Sequence, residues 1–132
     1  MNKKSIYFYL LLLTSCTSSN YLDLTIVISK NLHKKIDNGF VVVVAEYDCK
    51  SCLQNIIEFC HSEINNNNID GIFYQTTNLD VEYNNLIKST KGKIKWHYTK
   101  SIKLMNLLSE KIQNGPYLIE FRNGYVYKIQ KI

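Results

Sequence analysis

Hydrophobic positions along this chain change their spacing several times, and each change predicts an element. Val41-Val42-Val43-Val44-Ala45 is a short, unbroken, β-branched run, the pattern of a strand buried on both faces. Directly beyond Cys49-Lys50-Ser51-Cys52 the apolar residues fall at Leu53, Ile56, Ile57, Cys60 and Ile64, one stripe of an α-helix. Asp48 is expected to cap that helix. Upstream, Leu22, Leu24, Ile26 and Ile28 alternate with Asp23, Thr25, Val27 and Ser29, which predicts a first strand. A short helix or turn over 31–37 and a turn at Asn38-Gly39 should lead into the valine strand.

Downstream, the asparagine run 65–68 ends the second helix, since asparagine tolerates turn conformations. A strand over 69–76 and a weaker helix over 80–89, built on Val81, Tyr83, Leu86 and Ile87, come next. In the strand 93–99, Ile94, Trp96 and Tyr98 alternate with Lys95 and His97, the pattern of an edge or half-exposed strand. Ser101 caps a helix running through Gln113, with Ile102, Met105, Leu108 and Ile112 as its buried face, and Asn114-Gly115 closes it. Pro116 then opens a strand, a turn at Arg122-Asn123-Gly124 and a second strand. The order is β-α-β-α-β-α-β-α-β-β, one α/β domain over 22–132.

The amino terminus stands apart from it. Asn2-Lys3-Lys4 is a short basic region, residues 6–13 form an apolar run too short to span a bilayer as a mature helix, and Leu13-Thr14-Ser15-Cys16 follows. This resembles a bacterial lipoprotein signal, which implies cleavage after residue 15 and diacylglycerol on the Cys16 sulfur. Residues 16–21 would be a lipidated tether, anchoring the domain to a membrane without spanning it. Thr17 differs from the aspartate of an inner-membrane retention signal, so the resemblance implies the periplasmic side of the outer membrane. An ordinary secretory peptide, or an amino-terminal helix with a chance cysteine, is the plainer alternative.

Charge adds little at this stage. Loss of residues 1–15 removes Lys3 and Lys4 and no acid, so the net charge falls from +5 to +3. Lys34-Lys35 and the lysines of 91–95 are the only dense groups; they read as solvated faces rather than a nucleic-acid stripe, so no nucleic-acid partner is expected. Setting Cys16 aside leaves Cys49, Cys52 and Cys60, an odd number that argues against a full structural disulfide framework. It suits one redox pair and one buried thiol. Cys60, on the apolar stripe, is expected to be a core residue. Zinc is the rival use, with Cys49, Cys52, Cys60 and His61 as conceivable ligands. No second ligand pair with metal spacing follows, however, and Cys60 and His61 point to different faces of one helix. No metal or cofactor is therefore expected, and His33 and His97 read as ordinary surface histidines.

Strand, CxxC and helix in that order, with Pro116 opening a hairpin far downstream, resemble the thioredoxin superfamily. The extra strand at 93–99 is similar to the TlpA-type redoxin branch. The resemblance implies a three-layer thioredoxin-like sandwich around a mixed sheet, with Pro116 in cis beside Cys49. The chain ends at Ile132, just after the hairpin, so the usual C-terminal helix that covers one sheet face has no counterpart. At a helix start, unpaired N–H groups and the helix dipole stabilise a thiolate, and the second sulfur lies one turn away. Cys49 is thus the candidate nucleophile and Cys52 the resolving thiol, with Pro116 completing the site. Val43 stands where thioredoxin has a buried aspartate. Glu46 is close enough in sequence to accept the proton instead, or points to solvent. Asp48 helps the helix as a cap but opposes a neighbouring thiolate. The expected activity is thiol-disulfide exchange with protein thiols and disulfides. The alternative is a non-catalytic binding module with a static disulfide.

Overall fold

The computed structural model describes residues 21–63, 69–76 and 81–132. Cys16, residues 1–15, most of the tether, Ile64 and the asparagine run lie outside the described residues. Among the described residues, four helices and five strands follow one another: α1 (Leu22–Leu32), β1 (Gly39–Ala45), α2 (Lys50–Glu63), β2 (Ile69–Tyr74), α3 (Val81–Ser89), β3 (Ile94–Thr99), α4 (Ile102–Lys111), β4 (Tyr117–Arg122) and β5 (Tyr125–Lys131). The strands form one mixed sheet in the order β3-β2-β1-β4-β5. β1, β2 and β3 are parallel neighbours, and β4 runs antiparallel to both β1 and β5.

The valine run is the middle of the sheet, and its alternation builds both cores. Val41, Val43 and Ala45 face one cluster with Ile72, Ile119 and Phe121, covered by α1 and α4. Val42 and Val44 face the other with Phe73 and Leu118, covered by α2 and α3. Each residue from Val41 to Ala45 is essentially without solvent contact, as expected of a strand with helices on both faces.

The segment expected as a first strand is a helix instead. Leu24, Val27, Ile28 and Leu32 are its buried positions, together with Thr25, so the burial period is helical although alternate residues are apolar as well. The Thr25 hydroxyl donates a hydrogen bond to Tyr21 O at 2.8 Å and accepts one from the Val126 N–H at 3.0 Å, fixing α1 to β5. A Schellman-type end follows: His33 is left-handed (φ 55°), its N–H reaches Lys30 O, and Lys34 N–H reaches Ser29 O. The expected helix or turn over 31–37 is the tail of α1 and the connector after it.

The other elements follow the pattern more closely. Ser101 does cap α4, its Oγ accepting Leu104 N–H at 3.3 Å, but the buried face is Leu104, Met105 and Leu108, while Ile102 is 63% exposed. α4 packs against α1, and that neighbour turns the face toward Leu104. β3 is an edge strand as expected. Gly71 on β2 lets the Trp96 ring lie against the backbone, for a Cβ there would come within 2.6 Å of it. Asn123 and Gly124, both with positive φ, make the two-residue turn that joins antiparallel strands without splaying them. Among the described residues no helix follows β5. On the face that carries α2 and α3, Phe40 of β1 and Arg122, Tyr125 and Lys128 of the β4–β5 ribbon are exposed.

Candidate functional site

Cys49 and Cys52 are joined by a disulfide, with their Cα atoms 5.0 Å apart. Cys49 is exposed and Cys52 half-buried, an asymmetry set by the helix: the first cysteine precedes its first turn and the second lies inside it. Asp48 does not cap α2. Its carboxylate folds back to accept the Ala45 N–H at 2.8 Å, and its own N–H reaches Ala45 O at 3.0 Å. This closes the turn between β1 and α2 and leaves the capping position to Cys49. The Cys49 carbonyl accepts Leu53 N–H at 3.0 Å, and its Sγ accepts Cys52 N–H at 3.1 Å and faces the Ser51 hydroxyl at 3.3 Å. Those two donors, with the helix dipole behind them, surround a sulfur as they would a thiolate.

Strand register brings Pro116 to the same end of the sheet. Val43 pairs with Tyr117, so Pro116 lies opposite the last residues of β1, from which the short turn runs to Cys49. The Gly115–Pro116 bond is cis, as expected. Pro116 is buried, and its carbonyl accepts Ile132 N–H at 3.1 Å. Glu46 is engaged by the segment after β2: its Oε1 accepts the Thr76 N–H at 3.0 Å and the Thr76 hydroxyl.

Tyrosines from two strands and a loop gather around this end, a feature the sequence showed only as scattered aromatic residues. Tyr47 is 66% exposed next to the disulfide loop and meets Tyr74 edge-on at 6.2 Å. Tyr117 is buried and donates to Ile112 O at 3.0 Å. Burial, reinforced by Tyr47 and Asp48, pushes its hydroxyl up to about 12. No periodic signal could have found this group, because its members are distant in sequence and meet only through strand register. Cys60, by contrast, is fully buried in the α2–α3 core, and burial pushes its thiol up to about 11. His97 is not an ordinary surface histidine: it is partly buried and contacts Asp70 at 3.0 Å, while Lys34 holds the other oxygen of that carboxylate.

Desolvation raises the Asp48 carboxyl above its ordinary value of 3.8, with the Ala45 N–H and Lys131 opposing the shift. The folded chain therefore retains this proton where the unfolded chain releases it, so stability is greatest below the ordinary value and falls as pH rises through the interval above it. Asp48→Asn keeps an acceptor for Ala45 and removes the penalty. It is expected to stabilise the protein at pH 7 and to flatten the fall of the thermal-melting profile at pH values above the ordinary carboxyl value. The same change removes a negative charge beside Cys49, which favours the thiolate. The reduction potential should rise by about 30 mV, a tenfold change in equilibrium constant. A potential that falls, or a melting profile that keeps its slope, refutes this role of Asp48.

Comparison of the chain with protein-family models, with curated proteins and with solved structures finds no match in any of the three.

Proposed function

We propose that this protein is a thiol-disulfide oxidoreductase with a thioredoxin-like fold, anchored through Cys16 to the periplasmic side of a bacterial envelope membrane. The observation that carries the reading is an exposed Cys49 at the start of α2, bonded to Cys52 and cupped by two hydrogen-bond donors, at the sheet end where Pro116 opens β4. With the pair reduced, the Cys49 thiolate attacks a client disulfide, forming a mixed disulfide and releasing one client thiolate, which takes up a proton. Cys52 then gives up its proton and attacks the Cys49 sulfur. The client leaves as a dithiol, and the Cys49–Cys52 disulfide holds the oxidised state, two electrons having passed to the client. Reversal of these steps oxidises a client dithiol. Recycling requires a second thiol or disulfide carrier from the same compartment.

Cys52→Ala tests the reading, since it removes the resolving thiol and strands the intermediate. Envelope extracts should yield mixed disulfides on Cys49 that dissolve in dithiothreitol and vanish in a Cys49→Ala, Cys52→Ala double variant. Absence of any such adduct, together with a wild-type pair that dithiothreitol does not reduce in the folded protein, would overturn the enzyme reading in favour of a binding module with a static disulfide.

A further inference from the structure

The two lysine groups that look like unrelated solvated faces in the sequence meet at one end of the fold. β1, β2 and β3 all begin there, and the β4–β5 turn closes there. Lys34 and Lys35 enter on the connector before β1, Lys91 on the turn before β3, Lys95 on β3 itself and Arg122 at the end of β4; all are exposed. Lys95 is the register partner of Asp70, which Lys34 holds, and the Lys35 side chain passes over Gly124. The clusters are thereby joined across the whole end of the sheet. Of the acids at this end, Asp70 is committed to Lys34 and His97 and Glu120 to Arg122, while the Asp37 carboxylate lies beside Gly124 with the Lys35 side chain. Lys35, Lys91 and Lys95 take part in no ion pair among the described residues. The opposite end carries Glu46 and Asp48 beside the cysteine pair.

Exposed aromatic side chains lie among these cations. Phe40 is 41% exposed, Tyr125 54% and Tyr127 53%, and Arg122 stacks on the Tyr127 ring at 3.8 Å. Lysines with apolar stems, mixed with tyrosines, suit the layer where phospholipid headgroups meet acyl chains.

We propose that this end of the sheet is a membrane-apposed surface that binds anionic phospholipid headgroups, so that the Cys49–Cys52 end faces away from the bilayer. The six-residue step from Cys16 to Leu22 spans at most about 20 Å, so an acylated Cys16 keeps the domain within reach of its membrane. That orienting consequence rests on the anchoring proposed above; the affinity for anionic lipid does not.

The test uses the full chain carrying Cys16→Ser, which leaves no sulfur to acylate, and co-sedimentation with vesicles of phosphatidylcholine alone or mixed with phosphatidylglycerol. The neutral vesicles register whatever residues 1–15 contribute through their apolar run. Binding to the anionic vesicles should exceed binding to the neutral ones by at least about tenfold, and the excess should disappear in 1 M salt, where the screening length is only about 3 Å. Lys35→Gln, Lys91→Gln and Lys95→Gln together should cost at least about tenfold of that excess, each lysine near a charged surface being worth about fivefold. Lys100→Gln with Lys103→Gln, removing charge away from this end, should cost less than about twofold, and circular dichroism should show every variant folded. Equal losses in the two sets, no preference for anionic vesicles, or tighter binding of the same surface to duplex DNA overturns the proposal. Vesicle binding does not depend on Cys52, so a protein that binds anionic lipid yet traps no client refutes the oxidoreductase reading alone.

Discussion

Phe73→Ala is expected to bring the domain to the edge of unfolding at room temperature. The side chain is fully buried on β2 in the core beneath α2 and α3, edge-on to Tyr83 at 4.9 Å and to Trp96 at 6.1 Å. Truncation removes its transfer energy and leaves a cavity among side chains carried by two helices and three strands, which cannot all close on it. Such changes cost about 3–5 kcal/mol, with part of the loss coming from the two ring pairs at about 0.5–1.5 kcal/mol each. A domain of this size has only about 5–15 kcal/mol in all. Urea denaturation should show a midpoint lowered by a third or more, and a calorimetric scan a Tm at least about 10 °C lower. Phe73→Leu, which refills most of the volume, should recover more than half of the deficit. A loss below about 1 kcal/mol for the alanine variant means that this core is not packed as described.

On the proposed oxidoreductase function, Cys49→Ser is expected to lower the catalysed reduction of insulin by dithiothreitol by at least about a thousandfold, to the rate without protein. A serine hydroxyl in the same hydrogen-bonded position ionises far too weakly to attack a disulfide at neutral pH. Cys52→Ser should differ in kind: Cys49 still attacks once, so a single stoichiometric burst of mixed disulfide replaces turnover. Cys60→Ala is the informative control. With its thiol pushed up to about 11, only about one Cys60 in ten thousand is ionised at pH 7, and the core seals it off besides. Its loss should leave the rate within about twofold. Turnover that survives Cys49→Ser, or that disappears with Cys60→Ala while the fold persists, contradicts the assignment of roles.

The cysteine site was legible where its information is local. Five small apolar residues followed by a helical stripe from Leu53 have a single consistent solution, and an N–H-rich helix start next to Cys49 comes with it. Pro116, the chain's one proline, and the Asn-Gly turn marked the hairpin equally well, because proline and glycine restrict the backbone whatever surrounds them. The amino-terminal segment of the domain carries two patterns at once. Leu22 to Ser29 alternates well enough for a strand, and its β-branched run favours one, yet Leu24, Val27, Ile28 and Leu32 also lie on one helical face. Local pattern could not choose between the two periods.

Sequence alone determined an α/β chain, the buried valine strand, the helix that begins at the cysteine pair and the hairpin that Pro116 opens, since each depends on periodicity or on a residue with few allowed conformations; the cis bond before Pro116 was implied by the family resemblance and is seen in the structure. Tertiary structure decided the rest. It made 22–32 a helix, because the α4 side of the sheet offered an apolar face to cover and Val126 offered an N–H to Thr25. It turned Asp48 back onto Ala45, so that Cys49 became the cap of α2, and it brought Lys34 and His97 onto the two oxygens of Asp70. Those outcomes depend on which distant groups arrive beside one another, and strand order and register, not spacing along the chain, govern that.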